Sequence, residues 1–150
     1  MPQSLHVAYA HLIFSTKERI PMITVDINSS LFEYMGGIVR DLDGRCIEIN
    51  GTEDHVHLLI RASKSVPDTK FIQELKGGSS RWINESGAKE TKFQWQAGYG
   101  WFSVSPSQIH AVRSYIRNQK EHHQTTTFQD EFRKILEKCE VDYDERYVWD

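Results

Sequence analysis

Gly51 to Ile60 reads GTEDHVHLLI, and the alternation in this stretch sets the plan of the chain around it. In an extended strand successive side chains point to opposite faces. Val56, Leu58 and Ile60 therefore line one face, which reads as the core side, while His55, His57 and Leu59 line the other. Two imidazoles at neighbouring same-face positions stand together, and neutral imidazole is a common metal ligand. They supply half or less of a coordination shell, leaving room for another protein ligand and for substrate. The alternative is a pair of surface histidines on the solvated face of an antiparallel strand, and at this point both readings stand. A histidine-triad nucleotide hydrolase would need a third histidine in the same register, where this chain has Leu59.

Working outward, RCIEI from Arg45 reads as a second strand, and Asn50 to Asp54 links it to the histidine strand as a hairpin. Upstream, Asp43-Gly44 makes the turn into it from a helix expected over about Ser30 to Leu42. Gly36 and Gly37 weaken that helix, which suggests close packing against the sheet. HVAYAHLIF, from His6, reads as the first strand. Downstream, Asp68 caps a helix to about Glu85, with a Gly77-Gly78 pair that marks a bend or a close approach. A polar loop follows. FQWQAGYGWFSV, from Phe93, is then an irregular strand with a bulge or twist. A helix from Ser107 to about His122 and another over Thr127 to Cys139, with Phe128, Phe132, Ile135 and Leu136 as its stripe, complete the pattern. The order β-α-β-β-α-β plus C-terminal helices predicts an α+β, ferredoxin-like (split βαβ) fold, an antiparallel sheet with helices packed on it.

A chain of 150 residues supports one full hydrophobic core and is short for two, so a single domain over 1–150 is expected. Within it, about 5–125 would be the catalytic core and about 127–150 a C-terminal helix and acidic tail. No apolar run approaches the roughly 20 residues of a membrane span, and the N-terminus lacks the basic n-region of a signal peptide. Cys46 and Cys139 are far apart with no CxxC spacing, so a reducing cytoplasm is the expected home. The net charge of −3 disfavours indiscriminate nucleic-acid binding, yet its distribution is uneven. Residues 128–150 hold eight acids and four bases, while 61–92 hold seven bases and four acids. Lys76 and Arg81 on the second helix, with Arg113 and Arg117 further on, are the candidate phosphate contacts.

Tyr115 and Gln119 stand four residues apart and so project from one helix face. Alone, the pair reads as a tyrosine anchoring the helix to the sheet and a glutamine in solvent. Joined to the histidines it gains a second meaning. Two imidazoles and a carboxamide oxygen are three neutral ligands, leaving a divalent cation its full charge for a phosphate beside Tyr115.

The chain resembles the single-tyrosine HUH transposases of the insertion-sequence-200-like and REP-associated tyrosine transposase family. The likeness rests on HLIFSTK near the start, on the histidines of DHVHLL, on LKGGSSRWI, on WQAGYGWFSVS and on YIRNQKEHH, in the family's order over roughly residues 5 to 135. It implies a metal-dependent strand transferase acting on single-stranded, hairpin-forming DNA through a 5′-phosphotyrosine intermediate. It further implies His55, His57 and Gln119 as ligands of Mg2+ or Mn2+, Tyr115 as nucleophile, and a homodimer whose active sites are potentially composite. The competing expectation is a non-catalytic or domesticated binder of single-stranded hairpins. A replication initiator or relaxase shares the chemistry but fits this short chain less well. His122-His123 reads as structural or as a helix cap, Glu53 and Asp54 as solvated turn carboxylates, and Trp95, Tyr99, Trp101 and Phe102 as core more than as base-stacking residues.

Overall fold

The computed structural model describes residues 2–86 and 91–150. Four antiparallel strands, β1 (Tyr9–Ser15), β2 (Arg45–Gly51), β3 (His55–Arg61) and β4 (Gly100–Val104), form one sheet in the order β2-β3-β1-β4. Helices α1 (Val25–Asp41) and α2 (Asp68–Ser86) join β1 to β2 and β3 to β4. The split βαβ plan expected from the sequence is therefore the observed one. Three further helices follow: α3 (Ile109–Arg117), α4 (Gln119–His122) and α5 (Phe128–Lys138).

The period-2 pattern of β1 and β3 decides which side each helix takes. Leu12, Phe14, Val56, Leu58 and Ile60 face α1 and α2, where Leu31, Met35, Val39, Phe71, Ile72, Leu75 and Ile83 complete the main core. Burial of each such side chain contributes about 1.5–3 kcal/mol. The opposite face is not solvated. There Ile13 packs with Phe128, Phe132 and Leu136 of α5 into a second, smaller cluster. Both faces of β3 are thus covered, and His55 and His57 are fully buried, which excludes the reading of two surface histidines.

Several boundaries differ from those read off the sequence, each for a local reason. α1 begins at Val25, five residues early, because Thr24 already accepts the first helical bonds from Ile27 and Asn28. A Cβ at Gly36 would meet nothing beyond its own helix within 4 Å and one at Gly37 only the Arg40 side chain, so close packing does not explain that pair. α2 runs unbent through Gly77-Gly78, and Gly78 is where Ile38 of α1 comes close. The expected irregular strand from Phe93 shrinks to Gly100–Val104 with an isolated bridge from Trp95 to Thr16, because the carbonyls of Gln96, Ala97 and Gly98 turn to the Lys76 ammonium instead of a ladder partner. The sheet's register shift lies in β2, at Cys46/Glu48. The polar loop before Phe93 falls partly on residues 87–90, outside the described residues.

Gly51 closes the hairpin that presents the histidines. A Cβ there would overlap the His55 carbonyl oxygen and press on Val56 Cα, backbone atoms that cannot step aside. Gly51→Ala is expected to lose about 1–3 kcal/mol of stability in thermal or urea denaturation; an unchanged midpoint would contradict the close approach.

Candidate metal and nucleophile site

The second face of the sheet carries a polar island between β3, α3, α4 and α5. In β3, His55 and His57 flank the island, with Ile13 and Ser15 of β1 directly opposite them in register. From β2, Asn50 donates through Nδ2 to the carbonyls of Ile116 (3.1 Å) and Arg117 (3.0 Å). Those carbonyls close α3, which is why the helix expected over Ser107 to His122 is interrupted at Asn118 and resumes as α4. The interruption does not separate the two residues singled out in sequence: Tyr115 at the end of α3 and Gln119 at the start of α4 both reach the island.

At its centre stands a residue the sequence reading missed. Glu131, from α5, is 2% exposed. Its Oε1 accepts from His57 Nε2 at 2.9 Å and lies 3.5 Å from His55 Nε2, while its Oε2 accepts from Gln119 Nε2 at 3.0 Å and from the Tyr115 hydroxyl. Gln119 Oε1 lies 3.1 Å from His55 Nε2. His123 Nε2 is 2.9 Å from Glu131 Oε1. The island thus gathers His55, His57, Gln119 and Tyr115, as the sequence leads one to expect, and adds Glu131 and His123.

Two of these additions carried a sequence signal. Tyr115, Gln119 and His123 recur every four residues, so His123 lies on the face already marked, not in a simple capping position. Glu131 follows Phe128 by three residues and precedes Ile135 by four, a carboxylate at the edge of an apolar stripe.

The chemistry of each partner fixes the protons. Asp54 Oδ1 can only accept, so His55 donates from Nδ1 at 2.7 Å, with Thr52 Oγ1 at 2.9 Å beside it. Asp54 is therefore a partner that orients a site histidine, not a solvated turn residue. Thr126 O likewise accepts from His123 Nδ1 at 2.7 Å. His57 Nδ1 meets His11 Nε2 at 2.8 Å, the fourth histidine of the cluster.

Electrostatics follow from burial and these contacts. Burial alone pulls His55 down, but the hydrogen bonds and charges of Asp54 and Glu131 prevail and raise it to about 9. In His57 burial wins over Glu131 and lowers it to about 4; burial and the neighbouring His57 lower His11 to about 3. Burial would raise Glu131, yet His123, His55 and His57 hold it below the usual carboxylate range. Tyr115 is raised above the ordinary phenol value by burial and then by the Glu131 charge, so it rests as a neutral phenol.

The donor set fits a divalent cation. One nitrogen or oxygen from each of His55, His57, His123 and Glu131 lies within 4.8 Å of the others. His123 Nε2 is buried and has no hydrogen-bond partner despite its nearness to Glu131, while its Nδ1 donates to Thr126, so Nε2 is the atom this ring turns into the site. Ligation requires neutral imidazoles, so the carboxylates of Glu131 and Asp54 would stand as two negative charges against a divalent ion.

The candidate phosphate contacts divide. Lys76 spends three donors on the carbonyls of Gln96 (2.7 Å), Ala97 (3.0 Å) and Gly98 (2.7 Å), so its ammonium holds a loop. Arg81 is exposed on α2. Arg113 and Arg117 lie beside the site on α3 and share the Glu48 carboxylate. Trp95 is core, Trp101 and Phe102 are half-buried and Tyr99 is exposed.

The sequence model of one family, Transposase IS200 like, matches residues 4–119. The chain belongs to the IS200-like transposase family. Among its relatives this IS200-like chain is 28% identical over 116 residues to the ISDra2 transposase TnpA of Deinococcus radiodurans, a match covering 73% of the chain and 81% of that protein. Two solved structures share the fold. A crystal structure described as that of a transposase from Deinococcus radiodurans R1 superposes with TM-score 0.62 at 23% identity, over 79% of this chain and 98% of that one. A REP-associated tyrosine transposase bound to a REP hairpin superposes with TM-score 0.60 at 12% identity, over 82% and 74%. The family match ends at Gln119, so Glu131 and His123 lie beyond it. Among the described residues no helix is long and apolar enough to cross a membrane.

The protonation pattern is measurable in ion-free protein. His55, raised in the fold, contributes stability that is complete below about pH 6.5 and lost as pH climbs through about 9; His57, lowered, contributes above about pH 6.5 and loses it as pH falls through about 4. Proton NMR of the histidine Cε1 resonances is expected to show one titration near 9, one near 4 and one near 3 for His11. Three ordinary titrations near the model-peptide value of about 6.5 would contradict the arrangement.

Proposed function

We propose that the chain is a metal-dependent strand transferase for single-stranded DNA, cleaving and rejoining it through a 5′-phosphotyrosine on Tyr115. The observation that carries the reading is convergence: Tyr115, His55, His57 and Gln119, from three elements, meet around one buried carboxylate within a single chain. A domain that only bound hairpins would gain nothing from burying a phenol and two imidazoles there at the cost of their desolvation.

His55, His57 and Gln119 would hold the ion, with Mg2+ or Mn2+ the family's implication and imidazole favouring manganese of the two. When bound, a divalent cation supplies Lewis-acid polarisation of a phosphoryl oxygen. The chain's own groups do the rest. Asp54 and Thr52 fix the His55 ring, and His11 faces His57 so that its Nδ1 keeps a partner in either tautomer. The Tyr115 hydroxyl gives up its proton along its hydrogen bond to Glu131 Oε2 and on to solvent, and its oxygen forms the new bond to phosphorus while the DNA 3′-oxygen leaves with its electron pair and takes a proton from solvent. The phosphodiester linkage is kept as a phosphotyrosine, so a DNA 3′-hydroxyl can reverse the attack and rejoin strands without ATP.

Hairpin DNA as the substrate is supported by the REP hairpin bound to the relative of the same fold. Arg81, Arg113 and Arg117 are the phosphate contacts of this reading, Arg113 and Arg117 on the nucleophile's own helix, while Lys76 holds the 96–98 loop. A homodimer is the assembly this reading takes from the family, and the placement of Tyr115 beside the histidines of its own chain is compatible with one site in each protomer.

Tyr115→Phe removes one oxygen and leaves the ring packed against His57 and His122. Incubated with labelled single-stranded hairpin DNA and Mn2+, wild-type protein should form a covalent adduct that survives denaturing electrophoresis, while the variant binds DNA but forms none. An adduct persisting in the variant, or mapped by mass spectrometry to another tyrosine, would overturn the assignment.

A further inference from the structure

We propose that Glu131 is a further working residue of this site: through Oε1 it is a metal ligand, and through Oε2 it positions the Tyr115 hydroxyl, so that α5 carries part of the active centre. The inference rests on the functional reading above and extends it to a helix outside the matched family region.

The two carboxylate oxygens have different neighbours. Oε1 faces the imidazole nitrogens of His57 at 2.9 Å, His123 at 2.9 Å and His55 at 3.5 Å. Oε2 faces the Tyr115 hydroxyl, Gln119 Nε2 at 3.0 Å and His122 Nε2 at 3.7 Å. One group therefore spans from the would-be ligands to the nucleophile. A carboxylate is also the one charged member of the donor set, so it adds ion affinity that three neutral ligands lack.

Its placement is held from behind. Phe128 and Phe132, on either side of Glu131 in sequence, bury against Ile13, and Trp149 from the C-terminal segment packs on both rings at 6.4 and 6.0 Å between centroids. Arg133 and Arg19 face the Trp149 ring at 5.0 and 5.8 Å, and its Nε1 donates to Glu145 at 3.0 Å. Thr127 caps the helix by accepting from Asp130 N. A purely structural carboxylate would need only one or two partners to pay for burial. This one meets His55, His57, Gln119 and Tyr115 and lies beside a His123 nitrogen that it does not satisfy.

The test reads ion binding and the tyrosine separately, without DNA. Mn2+ titration followed by loss of the free-ion EPR signal is expected to show one bound ion in wild type, abolished in His57→Gln and weakened roughly tenfold or more in Glu131→Gln. Glu131→Asp, which keeps the charge on a shorter arm, should fall between, and it serves where the glutamine variant folds poorly. With 3-fluorotyrosine incorporated, the 19F resonance that disappears in Tyr115→Phe should shift in ion-free Glu131→Gln. Wild-type Mn2+ affinity in both Glu131 variants, or an unmoved Tyr115 resonance, overturns the role of Glu131 while leaving the functional reading intact. No Mn2+ binding by wild-type protein overturns the metal reading and the Glu131 role together.

Discussion

A carboxylate buried between two layers of structure is the constraint on which the rest of this fold depends. Glu131 is almost wholly withdrawn from water, and an uncompensated charge there would cost several kcal/mol. Compensation comes from four side chains, His55, His57, Tyr115 and Gln119, supplied by β3, α3 and α4. Those elements are held in place by the same contacts, so the sheet face that appears spare in a four-stranded ferredoxin-like plan becomes the organised one. The main core on the opposite face secures α1 and α2 and fixes the register of β1 against β3. Register then decides chemistry: a slip of one residue would carry His55 and His57 into the apolar core and Val56 and Leu58 into the site.

In the proposed mechanism the same arrangement would hold a phenol of ordinary chemistry in reserve. Burial and the adjacent carboxylate hold Tyr115 protonated in the ion-free protein, and a cation placed among the imidazoles would offset the very charge responsible. On that reading ion binding and the state of the nucleophile would be coupled through Glu131. The coupling is short-range, because Oε1 and Oε2 belong to one group.

Much of this was legible in the chain. The strand order follows from alternation in HVAYAHLIF, RCIEI and DHVHLLI, and the family likeness follows from five short motifs in order. His55, His57, Tyr115 and Gln119 stand out in the chain because each pair obeys a local spacing rule, two for a strand and four for a helix. Glu131 escaped because no local rule links it to them; it lies 74 residues from His57 and meets it only through packing of α5 on the far face. Its position in an apolar stripe marked it as buried, and that mark was readable only with the partners known. His11 was quoted within a strand motif, yet its contact with His57 depends on cross-strand geometry that one sequence does not display. Lys76 misled for the opposite reason: a lysine on a basic stretch looks like a phosphate contact until three carbonyls are seen to take its donors. Gly36-Gly37 remains a pair for which the packing gives no reason.

On the proposed reading β3, α4 and α5 converge on one ion site beside Tyr115. A crystal of the protein soaked in Mn2+, with diffraction recorded at the manganese absorption edge, addresses it most directly. The account predicts a single strong anomalous peak at bonding distance from the Nε2 atoms of His55 and His57 and from a Glu131 oxygen, with the Tyr115 hydroxyl next to it. A peak bound to the histidines with Glu131 swung away, or no peak at the histidines at all, would contradict it.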